Sequence, residues 1–156
     1  MKNITNYLSY LKSGINKLDL LKLQRIEDII YKKIRDDKKI FVCGNGGSAS
    51  VANHFLCDFN KGIKLSSKNR LKPKIVSLSD NMETILAVSN DISFDKVFSF
   101  QLDNYYTKGD IVILLSCSGS SPNIIDTLQY CKKNKIFTIS ITGFAKKNIQ
   151  KKANLN

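Results

Sequence analysis

Apolar side chains fall at Ile4, Tyr7, Leu8, Leu11, Ile15 and Leu18, the three-and-four spacing of an amphipathic helix over residues 3–18. A second stripe, Leu20, Leu23, Ile26, Ile30 and Ile34, follows Asp19 and ends at the polar run D-D-K-K of residues 36–39. It predicts a second helix, capped by Asp19, that buries this stripe. From residue 40 the texture changes to short apolar runs, IFVCG at 40–44, KIVSLS at 74–79, DIVILLS at 110–116 and KIFTISIT at 135–142. Rich in Ile and Val and nearly continuous in apolarity, they read as strands covered on both faces of a parallel sheet. Helical patterns alternate with them at 47–60, 81–88, 93–106 and 121–133, the last opened by Ser121 as cap and Pro122 at its first position. The polar, basic stretch 61–74 reads as a surface loop. This alternation predicts an α/β fold, a three-layer αβα sandwich around a parallel, doubly wound sheet. A chain of 156 residues suits one domain, with a helical pair at 1–36 and the α/β core at 37–156.

Two of the turns that leave strands carry chemistry. In open α/β sheets ligands bind beyond the carboxyl ends of the strands. In G-N-G-G-S, residues 44–48, Gly46 and Gly47 let the backbone approach an anion, the following helix presents N–H groups, and Asn45 and Ser48 add polar side chains. In S-C-S-G-S-S-P-N, residues 116–123, the hydroxyls of Ser116, Ser118, Ser120 and Ser121, with Gly119 and the helix opened by Pro122, form a cup of neutral donors suited to a phosphate monoester. Serine and glycine also make good turns; two such loops, each after a strand, favour the chemical reading. Gly44, Gly46 and Ala49 satisfy G-x-G-x-x-A, but the acid expected about 20 residues further on is absent, and neither loop has the lysine of a P-loop. No nucleotide cofactor is expected.

The one histidine, His54, lies on the helix after the first loop, with Ser50 four residues before it and Asp58 four after. That spacing sets the three on one side of the helix, and His with Asp at i, i+4 can ligate a metal. The net charge is +12. Its lysines are scattered along the whole chain without a recognition motif or aromatic-basic platform, so a nucleic-acid surface is not expected. No window approaches the run of about 20 apolar residues that spans a membrane. The N-terminus lacks a signal peptide's apolar core, and the default is a cytoplasmic protein. Cys43, Cys57, Cys117 and Cys131 form no C-x-x-C pair and fit reduced thiols. Cys43 and Cys131 read as core residues, whereas Cys117 sits in the serine loop.

GNGGSASVANHF, the S-N-D of residues 89–91 and SCSGSSPN resemble the sugar isomerase (SIS) domain, and within it the phosphoheptose isomerases. The resemblance covers essentially the whole chain. It implies a flavodoxin-like SIS fold and a cytoplasmic homotetramer with active sites between subunits. The implied reaction interconverts sedoheptulose 7-phosphate and its aldose, at the entry to heptose synthesis for lipopolysaccharide or capsule. Substrate contacts of the family fall on Asn45, Gly46, Gly47, Asn90, Asp91, Ser116, Cys117, Ser118 and Ser121. Its zinc-binding His falls on His54, and Asp58 stands where the family has a Glu that ligates Zn2+ and moves the proton. Asp reaches about 1.5 Å less than Glu. The family pattern continues past K-K-A-N-L-N into a fifth strand and a C-terminal helix with a Gln and a second His; this sequence contains no other His than His54. The alternative is a non-catalytic SIS module that binds a phosphosugar or a protein partner.

Overall fold

The computed structural model of the chain describes residues 2–143, 149 and 152–156. Helices α1 (Lys2–Asn16) and α2 (Leu20–Arg35) precede β1 (Lys39–Gly44). Then come α3 (Gly47–Cys57), a π-helical turn (Asp58–Ile63), the short α4 (Lys64–Ser66) and β2 (Lys74–Ser77). Next are α5 (Met82–Asp91), a 3-10 turn (Phe94–Lys96), α6 (Val97–Tyr105) and β3 (Ile111–Ser116), with α7 (Pro122–Lys133) and β4 (Phe137–Thr142) last. All pairings are parallel, in the order β2-β1-β3-β4. The chain steps from β1 outward to β2, then crosses to the other side of β1 to make β3. The loops that leave β1 and β3 therefore diverge at a topological switch point, where open α/β sheets hold their ligands.

Alternation along the strands builds a core on each face of the sheet. Phe41, Cys43, Val112 and Leu114 point to one side, against Val97, Phe98 and Leu102 of α6 and Ile124 and Leu128 of α7. Ile40, Val42, Ile111, Ile113 and Leu115 point to the other, against Ile30 and Ile34 of α2 and Ala52 of α3. Every residue of β3 is buried, which is why the sequence there is apolar without alternation.

Several sequence expectations shift. The helix expected at 47–60 runs on as helical backbone to Ser66 and takes the first part of the expected loop 61–74. Phe55 and Phe59 stack there with ring centroids 4.0 Å apart. Asn60 donates to the Ile75 carbonyl and accepts from the Ile75 N–H, both at 3.0 Å, so the π-helical turn is tied to β2. Regular pairing in β2 stops at Ser77 rather than residue 79, although Leu78 N–H still donates to the Val42 carbonyl at 2.9 Å. The helix expected at 93–106 divides into the 3-10 turn and α6, and β4 begins at Phe137 because Lys135 takes a left-handed φ of 56°.

The stripe expected to bury α2 is only half buried. Ile30 and Ile34 are covered, but Leu20 and Leu23 are exposed, as are Ile4, Tyr7, Leu8, Leu11 and Ile15 of α1. Within one chain the sheet supports only the second half of α2. At the other end, Leu155 pairs in parallel with Ile139 as a single bridge: Ser140 N–H donates to the Leu155 carbonyl at 2.9 Å and Leu155 N–H to the Thr138 carbonyl at 3.2 Å. This bridge lies on the edge of β4 that does not face β3. Among the described residues no helix is long and apolar enough to cross a membrane.

Candidate functional site

The first loop is fixed from below. Gly44 N–H donates to Ser79 Oγ at 3.1 Å, and the Ser79 hydroxyl donates back to the Gly44 carbonyl at 2.9 Å. The Ser77 hydroxyl donates to Asn53 Oδ1 of α3 at 2.6 Å. The hydroxyls of Ser77, which ends β2, and Ser79, just after it, are thus spent on holding α3 and the loop. A Cβ at Gly44 would stand 2.6 Å from Ser48 Cβ and 2.8 Å from the Ser48 carbonyl carbon and oxygen, so only glycine lets α3 start this close to β1. Gly46 turns the chain with φ 53° and ψ −122°, a conformation that side chains with a Cβ resist. The expected free N–H groups at the start of α3 are partly consumed: Ser48 N–H donates to the Asn45 carbonyl at 2.9 Å and Ala49 N–H to that of Gly46 at 3.0 Å. This loop is a wall rather than an anion cup.

The second loop keeps its donors. Ser116 Oγ accepts from Gly119 N–H at 3.0 Å, and Ser118 Oγ accepts from Ser120 N–H at 3.3 Å and from the Ser120 hydroxyl at 3.0 Å. Accepting leaves the protons of Ser116 and Ser118 free to donate. Ser121 occupies the N-cap position of α7, but its side chain makes no capping bond, contrary to the expected cap. Its hydroxyl is therefore also free, beside a helix end whose dipole favours an anion. Ser120 is the exception, with its proton turned onto Ser118.

These loops share one cavity of about 350 Å³, lined by Asn45, Gly47, Ser48, Val51, Leu115, Ser116, Cys117, Ser118 and Ser121. That size falls in the range of small-molecule sites, about 300–1,000 Å³. Ser48 Oγ and Cys117 Sγ stand 3.9 Å apart where the walls meet. Among the described residues no lysine or arginine lines the cavity, so of these the hydroxyls, the backbone and the dipole of α7 are what could hold an anion there.

Other residues singled out from the sequence lie elsewhere. Gly119 is buried beneath the cup, while Asn90 and Asp91 are exposed in the last turn of α5, where Asn90 Nδ2 donates to Asp91 Oδ1 at 2.8 Å. His54 and Asp58 are exposed as well. They continue the face of the helix that holds Gly47 and Val51, one and two further turns along, about 4.5 and 10.5 Å from Val51 at 1.5 Å per residue. A zinc site takes at least three protein ligands, and among the described residues no third His, Cys, Asp or Glu joins this pair. The two alone do not fit a zinc site.

Sequence reasoning passed over Asn123, Ser79, Val51 and Leu115. Asn123 is fully buried and exchanges two amide hydrogen bonds with Asn45, at 2.8 and 2.9 Å. It stood in the S-C-S-G-S-S-P-N motif without a role of its own. Ser79 and Leu115 looked like strand residues, and Val51 was given no role.

A parallel sheet with its switch point between β1 and β3, and a serine-rich cavity there, define an α/β domain with a small-molecule-sized pocket at its strand ends. The SIS domain family matches residues 5–143, and the chain belongs to that family. It is similar to the phosphoheptose isomerase of Chlorobaculum parvum, 33% identical over 137 residues that cover 88% of this chain and 65% of the relative. A probable phosphoheptose isomerase of Thermoplasma acidophilum is 35% identical over 137 residues, covering 86% of this chain and 74% of the relative. The structure of a phosphoheptose isomerase from Neisseria gonorrhoeae matches with a TM-score of 0.83 at 27% identity, over 98% of this chain and 78% of the other. The chain thus spans about two thirds of the length of the curated relatives it matches.

Proposed function

We propose that the chain is a phosphosugar aldose–ketose isomerase acting on sedoheptulose 7-phosphate. The observation that carries this reading is the single cavity in which three uncommitted serine hydroxyls face a polar wall built by Asn45 and Ser48. Ser116, Ser118 and Ser121 would hold the phosphate, and Asn45 the sugar. Isomerisation then needs a base that moves a proton between C1 and C2 through an enediol. Asp58, with His54 beside it, is the candidate on the face of α3 that runs out from the cavity. A Zn2+ held by this pair would need further ligands from outside the described residues, so no step is drawn through it. Gly46, Asn90 and Asp91, off the cavity wall within one chain, would take part from its rim or across a subunit boundary.

The apolar face of α1 and the first half of α2 supports assembly of several copies, a homotetramer in our reading, which would also enclose the exposed Asp58. Four free cysteines support a reducing, cytoplasmic setting, with the product feeding lipopolysaccharide or capsule heptose. Incubation with sedoheptulose 7-phosphate in D2O, followed by NMR, tests the proposal. The aldose should appear carrying deuterium at C2; an unchanged ketose would refute it. The exposure of His54 and Asp58 favours a second reading, a binding module without catalysis. It requires thermal stabilisation by the sugar phosphate with no turnover.

A further inference from the structure

Asn123 has no part in the phosphate cup, yet it is the most completely buried polar side chain near the cavity, with no exposed surface. Its main chain is anchored by the buried Thr127, whose hydroxyl donates to the Asn123 carbonyl at 2.6 Å. Its amide crosses to the other loop. Asn45 Nδ2 donates to Asn123 Oδ1 at 2.8 Å, and Asn123 Nδ2 donates to Asn45 Oδ1 at 2.9 Å, joining residues 78 apart in sequence. We propose that Asn123 is a positioning residue that holds the Asn45 amide in one orientation on the cavity wall. The inference rests on the sugar-phosphate reading of this cavity.

The chemistry follows from the capacity of an amide, two N–H donors and two acceptor lone pairs. The reciprocal pair uses one of each on both residues. Asn123, sealed from water, has no route to a ligand for the remainder. Asn45 is only half-buried and lines the cavity, so its second N–H and second lone pair, on opposite flanks of the amide, are left for a ligand. A sugar hydroxyl can accept from the one or donate to the other. If Asn45 turned over alone, N–H would face N–H and oxygen would face oxygen across the pair, so Asn123 keeps the Asn45 amide from turning independently. The bond also spans the two walls, which ties the width of the sugar end to the phosphate end.

A double-mutant cycle on the dissociation constant of sedoheptulose 7-phosphate, measured by calorimetry on the intact chain, tests this. Asn123→Leu keeps the size, adds no charge beside the anion site and removes both bonds to Asn45. It should weaken binding about tenfold or more beside Asn45, yet by less than about twofold in an Asn45→Ala background. Affinity for inorganic phosphate, which needs only the hydroxyls and α7, should stay within about twofold in both. Should Asn123→Leu fail to fold, Asn123→Ser takes its place in the cycle. Equal losses in both backgrounds, or no loss in either, would overturn the positioning role while leaving the isomerase reading intact. Binding without turnover would refute the isomerase reading alone, since the cycle still reads the pair. A wild-type chain that binds no sugar phosphate would overturn both.

Discussion

Replacing Gly44 by alanine should distort the candidate site from beneath without touching any ligand. The added methyl carbon would lie 2.6 Å from Ser48 Cβ and 2.8 Å from two backbone atoms of Ser48, where contacts between carbons normally settle at about 3.5–4.0 Å. Relief needs a shift of about 1 Å in the start of α3 or the end of β1. Neither yields freely: Gly44 is bonded both ways to Ser79, and α3 is held by Ala52, which is fully buried against the sheet. Overpacking of this kind costs about 1–3 kcal/mol. At about 2.1 cal/mol/K of unfolding entropy per residue, a loss of 2 kcal/mol corresponds to a fall of about 6 °C in Tm for a chain of this length. Gly47→Ala is the control, because a methyl there meets nothing within 4 Å. It should leave Tm within about 3 °C, within the about 1 kcal/mol expected of an unstrained glycine replacement. Thermal unfolding followed by circular dichroism decides the matter. A Gly44→Ala Tm equal to that of wild type, or to that of Gly47→Ala, would refute the close-approach argument.

Ser121→Ala removes a hydroxyl with no structural partner, so it should leave Tm unchanged while weakening sugar phosphate binding about 10- to 100-fold, as expected for a lost bond to a charged group; calorimetry reads this. Cys57 and Cys117 are exposed and Cys43 and Cys131 buried, so a thiol reagent should modify two cysteines of the native protein and four in denaturant, with saturating ligand slowing Cys117. Burial raises the Cys131 thiol from its ordinary 9.0 to about 12 and also raises Cys43, which feels Cys131 as well. Burial and then the Asp103 carboxylate, which accepts from the phenol, push Tyr130 from 10.0 to about 12. All three are raised in the folded state, so their contribution is complete below pH 9 and is lost as pH climbs through the window to 12. Equilibrium unfolding should show stability falling across that alkaline range. Leu8→Lys with Leu11→Lys on the exposed face of α1 should turn an oligomer into monomers in sedimentation velocity, with the α/β core still folded.

The sheet was legible because β1 and β3 are buried on both faces and therefore read as uninterrupted Ile and Val. The loops were legible because Gly44 and Gly46 are demanded by close approach and by an unusual turn. Pairing across the chain left little trace. Asn123 and Ser79 take their roles from partners 78 and 35 residues away, and local periodicity carries no record of such partners. The helical backbone beyond the expected end at residue 60, as far as Ser66, was masked by its lysines, although Ile63 packs against the core. The stripe on α1 misled differently: its spacing correctly announced a helix, but spacing is silent about whether the surface it covers belongs to the same molecule. His54 and Asp58 fell on the expected helix face, while the width of the cavity, which leaves them off its wall, depends on packing that no spacing encodes.

The central claim is that the loops after β1 and β3 form one sugar-phosphate site. Titration of 15N-labelled protein with sedoheptulose 7-phosphate tests it most directly, through the backbone amides of Gly46, Gly47, Ser118, Gly119 and Asn123. Both loops should shift together along a single saturable curve, with the side-chain amide of Asn45 following the same curve. Shifts confined to one loop, or centred on another surface, would contradict it.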